Sequence, residues 1–284
     1  MNNLYGKNVL VTGASRGIGL AVAEALAKAG CQVTAVSRSC AERVVEYAAN
    51  PQNINGSGVS GAISFKPMDV TNYNSVAKVV DSMERIDIAV LCAGMGVAGS
   101  AEELPMELAR AQMETNYFGV LQVGNLVLPK MRKQGKGLFI VIGSIAGKVP
   151  IPMQSHYSSS KYALEAYVEA VNMEMRGFGV HAVIVEPGDT KTGFTGARKT
   201  YIDEASPYAE AVKKSVARME HDEQNGRDPS SVAAVVMKLI GKKNPPLRVA
   251  VGFEYKALMF LLRFLPDRLK QFILRKMYLP VQPK

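Results

Sequence analysis

The stretch KNVLVTGASRGIGLAVAEALAKAG, residues 7–30, decides the fold. An apolar run leads directly into a glycine-rich turn and then into apolar residues at helical spacing, which is the opening of a βαβ unit. Gly13 permits the tight turn, Gly17 lets the backbone approach a pyrophosphate, and Gly19 allows close helix packing. Because a helix N-terminus also attracts negative charge, the stretch favours dinucleotide binding over a purely structural glycine turn.

The same alternation continues along the chain. Further apolar segments rich in Val, Ile and Leu, expected to be strands, occupy residues 31–37, 62–67, 86–94, 137–144, 180–188 and 247–251. Helical patterns separate them, near residues 41–48, 72–84, 106–132, 155–176 and 229–240. Strands of this kind are buried on both faces, as in parallel sheets of α/β proteins. We therefore expect a doubly wound, seven-stranded parallel sheet with helices on both faces, the Rossmann arrangement.

Composition narrows the class of protein further. The chain has 284 residues and three cysteines, Cys31, Cys40 and Cys92, an odd number with no metal-ligand spacing. This usage is typical of a reducing compartment, so we expect a cytoplasmic protein without a metal site. No apolar run approaches the roughly 18 residues of a membrane span, and the first residues do not resemble a signal peptide.

The positive charge is concentrated in the C-terminal tail, residues 254–284, which follows the predicted nucleotide-binding and catalytic domain, residues 1–253. From Tyr255 to Lys284, seven cations against Asp267 alone supply six of the nine excess charges, so nucleic-acid binding is not expected. These cations are Lys256, Arg263, Arg268, Lys270, Arg275, Lys276 and Lys284.

The tail also carries apolar residues at helical spacing, and Pro266 should interrupt its helix. These apolar residues are Leu258, Leu262, Leu265, Leu269 and Phe272. Three interpretations stay open. The tail covers the substrate cleft or a partner subunit, it contacts an anionic membrane surface, or it completes the core.

Several motifs fall in one order along the chain: G-x-x-x-G-x-G at residues 13–19, Asn116 in METNYFG, Ser144, YSSSK at residues 157–161, and EPGDTKT after the sixth strand. In this order and spacing the chain resembles the short-chain dehydrogenases/reductases over residues 5–251. The tail and the sequence SRS at residues 37–39 are most similar to the branch with 17β-hydroxysteroid and retinol dehydrogenases. One departure is LCAG at residues 91–94, where the family has N-N-A-G, so a backbone role is expected for Ala93 and Gly94.

The pair Tyr157 and Lys161 carries the predicted chemistry. Residues four apart share a helix face, and a cation ~4 Å from a phenolate at an effective dielectric of about 20 stabilises it by ~4 kcal/mol, about three pK units. Tyr157 is then expected to exchange a proton near neutral pH. Ser144, at the end of a strand, is expected to bind the substrate oxygen. By resemblance, Asn116 would order a water that relays protons to Lys161.

Cofactor choice depends on the end of the second strand. An NAD enzyme usually has Asp or Glu there, whereas this chain has Ser37 and Arg38, which with Arg16 favour the 2′-phosphate of NADP(H). By resemblance, Asp69 and Val70 contact the adenine. The remaining predicted cofactor-binding residues lie in the glycine turn, after the fourth strand, in the YSSSK motif and in the nicotinamide-positioning segment: Gly13, Ser15, Gly17, Ile18, Gly19, Ala93, Gly94, Tyr157, Lys161, Pro187, Gly188, Thr190 and Thr192.

The resemblance implies an NADP(H)-dependent oxidoreductase acting on a hydrophobic ketone or secondary alcohol that is steroid-, retinoid- or lipid-like. Residues 193–227 are expected to form a mobile substrate lid that excludes water. The alternatives are a 3-ketoacyl thioester reductase of lipid synthesis and a non-catalytic NADPH-binding regulator, although a regulator usually lacks the Tyr or the Lys. The family also implies a homodimer or homotetramer.

Overall fold

A computed structural model of the chain describes residue 4 and residues 6–48 and 61–279. Eight strands form the main sheet in the order β10-β8-β7-β5-β1-β2-β4-β3. Seven of them are parallel: β1 Asn8–Thr12, β2 Gln32–Ser37, β4 Gly61–Pro67, β5 Ile88–Leu91, β7 Gly137–Ile142, β8 Val180–Glu186 and β10 Arg248–Ala250. The predicted doubly wound parallel sheet is confirmed.

Helices cover both faces of this sheet. The α-helices of the described residues are α1 Gly17–Lys28, α2 Tyr73–Asp81, α3 Met106–Met113, α4 Gly119–Gln134, α5 Ser155–Met175, α6 Ala209–Gln224, α7 Ser230–Ile240, α8 Phe253–Leu261 and α9 Asp267–Tyr278. Helices α1 and α7 pack on one face, and α2, α4 and α5 pack on the other. Since side chains alternate along a strand, Val9 and Val11 enter the first core and Leu10 enters the second. This two-sided burial explains the continuous apolar runs in the sequence.

The prediction of a helix near residues 41–48 is wrong, because this segment forms the eighth strand of the sheet, β3 (Arg43–Tyr47). It pairs antiparallel with β4, with Val45 opposite Ile63. Val45 and Tyr47 pack against the core on the side of α1, while Val44 points to solvent. The alternating, β-branched pattern suits an edge strand that pairs the otherwise open backbone of β4.

The single helix expected over residues 106–132 is interrupted. Between α3 and α4 the chain forms one wide π-helical turn, Glu114–Phe118, with Asn116 buried at its centre. Such turns are frequent at functional sites. The interruption gives Asn116 a side-chain direction that a regular helix would not provide.

Beyond the sheet, the chain builds a cover over the carboxyl ends of the parallel strands. Two short parallel strands, β6 (Val97–Ala98) and β9 (Lys199–Thr200), join the loop after β5 to the predicted lid. Helices α8 and α9 follow β10, and Pro266 separates them as predicted. Neither helix has a fully buried residue, so the tail does not complete the core.

Two features are absent from the part of the chain that the structure describes. No helix there combines the length and the apolar character needed to cross a bilayer. Within the same residues, no group of three or more His, Cys, Asp or Glu side chains could bind a metal ion.

Candidate active site

One cavity of about 1580 Å³ lies along the carboxyl ends of β1, β2, β5, β7 and β8. In open α/β sheets ligands bind at this edge. All the predicted site residues except Asn116 line it: Gly13, Ser15, Arg16, Gly17, Ile18, Gly19, Ser37, Arg38, Asp69, Val70, Ala93, Gly94, Ser144, Tyr157, Lys161, Pro187, Gly188, Thr190 and Thr192. Residues from seven separate sequence segments are therefore brought to one cavity.

The glycine turn between β1 and α1 has the geometry that the sequence predicts. Gly13 and Gly17 have φ angles of 65° and 58°, a backbone region that favours glycine. A Cβ on Gly13 would lie 2.8 Å from the backbone of Ala93, and one on Gly19 would lie 2.4 Å from the carbonyl oxygen of Gly13. The turn thus leaves the N-terminus of α1 free of side chains, as a bound pyrophosphate requires.

Two arginines, Arg16 and Arg38, line the end of this cavity that lies next to β2. Arg16 and Arg38 are both exposed, and neither has a carboxylate partner among the described residues. The side chain of Arg16 also lies close to Gly193 of the predicted lid. Two unpaired guanidinium groups at one end of the cavity fit an additional phosphate.

The structure explains how the sequence LCAG at residues 91–94 can replace the N-N-A-G of the family. The hydroxyl oxygen of Thr12 accepts hydrogen bonds from the backbone N–H groups of Cys92 and Ala93, at 3.1 and 3.2 Å. These two bonds connect the ends of β1 and β5 without side-chain amides at residues 91 and 92. Cys92 is itself half-buried, and desolvation raises the pKa of its thiol to about 12, so the thiol is protonated at neutral pH.

Tyr157 lies at the N-terminal end of α5, and its hydroxyl group interacts with the Ser144 hydroxyl. Burial raises the pKa of Tyr157 to about 12, against a smaller lowering by the bond to Ser144. The expected lowering of this pKa by Lys161 is therefore wrong for this structure. The desolvation penalty on the phenolate is the larger effect. The phenol of Tyr157 is consequently neutral at physiological pH.

Lys161 is buried one helical turn further along α5. Its ammonium donates a hydrogen bond of 3.0 Å to the carbonyl oxygen of Ile142 and lies 5.8 Å from the centroid of the Tyr157 ring. Desolvation lowers its pKa to about 8. The bond to Ile142 directs the cation to the end of β7, which explains why its effect on the phenol is smaller than the ~4 Å separation implied.

Asn116 lies behind the cavity wall. Its amide oxygen accepts a bond of 2.8 Å from the Met95 backbone N–H, and its amide nitrogen donates to the Met95 carbonyl and the Ser160 hydroxyl, at 3.1 and 3.0 Å. These contacts connect the π-helical turn to the loop after β5 and to α5. The side chain therefore positions Gly94 and Met95.

The segment predicted to position a nicotinamide, residues 187–192, has an aromatic neighbour that sequence reasoning missed. The Tyr255 ring lies directly on Gly188, so that a Cβ there would come within 2.0 Å of it. The Tyr255 hydroxyl accepts a bond of 2.9 Å from the Asp189 N–H and donates one of 2.7 Å to its carboxylate. The only sequence signal was an aromatic residue at the start of the tail.

The predicted lid also contributes contacts that the sequence did not indicate. The Phe194 ring packs 5.8 Å from the Tyr157 ring, centroid to centroid. Arg198 is buried and forms an ion pair with Glu223 of α6, whose other carboxylate oxygen accepts a bond from Thr195. Burial raises the pKa of Glu223, and the Arg198 guanidinium opposes this. These contacts place the Phe194 ring beside Tyr157.

The geometry defines a class of protein. A neutral phenol next to a serine hydroxyl and a buried ammonium can deliver a proton to a bound oxygen. The glycine turn with its two arginines fits a phosphorylated dinucleotide, which supplies or accepts hydride when bound. Together these features are those of a nicotinamide-dependent oxidoreductase.

Comparison with known proteins gives the same class. The family model described as short chain dehydrogenase matches residues 7–202, and the chain belongs to this family. It is 35% identical to a 3-ketodihydrosphingosine reductase of Bacteroides thetaiotaomicron over 277 residues, covering 95% of this chain and 97% of that protein. It is 28% identical to bovine retinol dehydrogenase 8, covering 90% and 84%. A short-chain dehydrogenase structure from Streptomyces avermitilis superimposes with a TM-score of 0.75 at 28% identity, covering 95% and 96%.

Proposed function

We propose that the chain is an NADP(H)-dependent reductase of hydrophobic ketones, with a ketone on a long alkyl chain as the preferred substrate. The observation that carries this proposal is the apolar extension of the cavity beyond Tyr157. There the tail contributes Leu258, Leu262, Leu265, Ile273, Leu274 and Met277 to the wall. A steroid or retinoid ketone would also be apolar, so the relatives decide between these classes.

The relatives favour the linear substrate. The relative that is 35% identical is named for the reduction of a long-chain keto base, 3-ketodihydrosphingosine. The relative that is named for a retinoid is only 28% identical. The alignment with the 3-ketodihydrosphingosine reductase also covers 95% of this chain and 97% of that protein, so it includes part of the tail. We therefore propose that a lipid-like ketone is a better substrate than a retinoid or a steroid.

In the proposed reduction, hydride adds to the carbonyl carbon while Tyr157 donates its phenolic proton to the oxygen, so the C=O double bond becomes a C–O single bond with new C–H and O–H bonds. Ser144 binds the same oxygen and orients it. Lys161, whose pKa burial lowers to about 8, returns a proton to the resulting phenolate. Asn116 positions the loop after β5 and, as the family resemblance implies, would order a water that relays protons to Lys161. The raised pKa of Tyr157 keeps the phenol protonated near neutral pH, which is the form that this reduction needs.

The cofactor preference follows from Arg16, Ser37 and Arg38. A carboxylate at the end of β2 would repel a 2′-phosphate, whereas the guanidinium groups attract it. Asp69 and Val70 line the cavity beside Arg38, at the predicted adenine end. We propose NADP(H) rather than NAD(H) for these reasons.

The test is NADPH consumption by the purified full-length chain with 3-ketodihydrosphingosine, a ketosteroid, retinal and an acetoacetyl thioester. We expect the long-chain ketone to be reduced with the highest kcat/KM. Highest activity on the thioester would instead support the 3-ketoacyl thioester reductase. Tight NADPH binding without turnover of any substrate would support the regulator.

Further parts of the proposal concern the protein's surroundings. We propose that residues 193–227 act as the substrate lid, since Phe194 and Arg198 join the active site to α6. A cytoplasmic location and a homodimer or homotetramer remain predictions. Mass measurement by light scattering tests the oligomer, and cell fractionation tests the location. Contact with a membrane is argued separately below.

A further inference from the structure

The tail helices have two opposite apolar faces. On the inner face, Leu258 and Leu262 are four residues apart and both line the cavity, and Ile273, Leu274 and Met277 of α9 do the same. Tyr255 fixes this face to the active site through Gly188 and Asp189. The inner face is therefore explained by the cavity.

The outer face is apolar without any such explanation. Phe253, Phe260 and Phe264 are 82%, 59% and 71% exposed, and Leu261 beside them is 57% exposed. The Phe260 and Phe264 rings pack edge to face, with centroids 5.4 Å apart. Among the described residues, nine of the 16 exposed large apolar side chains lie between residues 253 and 277, and exposed apolar groups of this kind mark interaction sites.

The charges around this face indicate what occupies it. The two acids of the tail helices are already paired, Glu254 with Arg227 and Asp267 with Lys270. Five cations of the tail have no carboxylate partner among the described residues: Lys256, Arg263, Arg268, Arg275 and Lys276. The occupant must therefore be apolar at its centre and negatively charged around it.

We infer that the outer face of α8, together with the unpaired cations of the tail, docks on an anionic lipid membrane, and that the ketone passes from the bilayer between α8 and α9 into the cavity. The substrate part of this inference rests on the proposed function. Exposed phenylalanines enter the region between headgroups and acyl chains, and each cation near an anionic surface increases binding about fivefold. A second copy of the chain fits less well, because a twofold contact would bring the same unpaired cations together.

The docking is tested by cosedimentation of the full-length, NADPH-bound chain with vesicles of phosphatidylcholine and phosphatidylglycerol, and of phosphatidylcholine alone. We expect binding to the anionic vesicles that weakens with salt. Phe260→Ser with Phe264→Ser should reduce this binding at least tenfold, and so should Arg268→Glu with Arg275→Glu. The controls are Met106→Ser and Lys133→Glu, whose side chains are exposed elsewhere and should leave binding unchanged.

Two results would overturn the inference: a wild-type chain that stays in the supernatant with anionic vesicles, or tail variants that bind as well as the wild type. A tail variant that alters the mass in light scattering while vesicle binding persists would assign the face to a second copy instead. Vesicle binding is measured without substrate, so it is independent of the proposed reaction. If the chain binds vesicles but reduces no long-chain ketone, the docking stands and the proposed substrate is wrong.

The passage of substrate has its own measurement. With the ketone embedded in anionic vesicles, the Phe260 and Phe264 double variant should show kcat/KM reduced at least tenfold. With a short, water-soluble ketone the same variant should retain wild-type turnover. Equal losses on both substrates would show that the substitutions damage the active site and would overturn the entry route.

Discussion

In the floor of the cavity, where β1, β5, β7 and β8 end, buried side chains bond to the main chain, whereas the roof, formed by α6, α8 and α9, is joined mainly by bonds between side chains. Thr12 binds two backbone amides in the floor, and Lys161 binds a backbone carbonyl there. The roof depends on the Arg227–Glu254 ion pair and on Tyr255. Proton transfer needs the more rigid floor, while a roof held by a few side chains can be altered for different substrates.

The largest effect is expected in the floor, from Tyr157→Phe. The ring and its contact with Phe194 remain, but the proton donor is lost, so kcat should fall about 10²- to 10⁴-fold. NADPH binding, measured by fluorescence titration, should be unchanged. Tyr162→Phe on the same helix is the control, since its hydroxyl bonds the Lys148 carbonyl away from the cavity. Normal rates for Tyr157→Phe would remove the phenol from the mechanism.

The next largest effect is expected on the preference for NADPH over NADH. Arg38→Asp replaces a cation by the acid typical of NAD enzymes, so the ratio of kcat/KM for NADPH to that for NADH should fall about ten- to hundredfold. Arg110→Asp, an exposed substitution outside the cavity lining, should leave the ratio unchanged. An unchanged ratio in Arg38→Asp would show that another group recognises the phosphate.

A third prediction concerns a buried carboxyl at the end of β8, that of Glu186. Glu186 at the end of β8 is buried beside Glu165, whose carboxylate accepts bonds from Lys148 and Arg248, at 3.0 and 2.7 Å. Desolvation and then the Glu165 charge raise the pKa of Glu186 from 4.5 to about 7. Because the folded pKa is the higher one, this group's contribution to stability is complete below 4.5 and is lost as pH rises towards 7.

Glu186→Gln should therefore stabilise the protein by about 1 to 2 kcal/mol at about pH 8 and have little effect at about pH 4.5. Urea unfolding at both pH values measures this difference. Glu169→Gln is the contrasting control, because Arg248 lowers the pKa of that exposed carboxyl and its removal should slightly destabilise the protein at higher pH. A pH-independent effect of Glu186→Gln would show that folding does not raise the pKa of this carboxyl.

Sequence patterns predict the floor much better than the roof. The glycine turn, Ser144 and the pair Tyr157 and Lys161 are local signals, because strand ends and one helix turn determine where these side chains go. The strand at residues 43–47 was missed because its alternation is short and its neighbours favour a helix. The pairing with β4 that decides it is a tertiary contact.

The roof could not be predicted in the same way. The contact of Tyr255 with Gly188 joins residues 67 positions apart along the chain, and the Arg198–Glu223 pair joins two polar residues without a motif. The pKa of Tyr157 was predicted in the wrong direction for a related reason. A charge at a known spacing is visible in the sequence, but the desolvation of the phenol by surrounding segments is not.

The smallest effect is expected where the roof meets the floor, in Tyr255→Phe. The ring still covers Gly188, but both bonds to Asp189 are lost, which costs roughly 1 to 3 kcal/mol of local stability if no water replaces them. Since Asp189 lies in the predicted nicotinamide segment, KM for NADPH should rise severalfold while kcat changes little. Tyr73→Phe, an exposed tyrosine on α2, is the control. A fall in kcat as large as that of Tyr157→Phe would mean that the tail takes part in the chemistry itself, and the distinction between a catalytic floor and a substrate-binding roof would then fail.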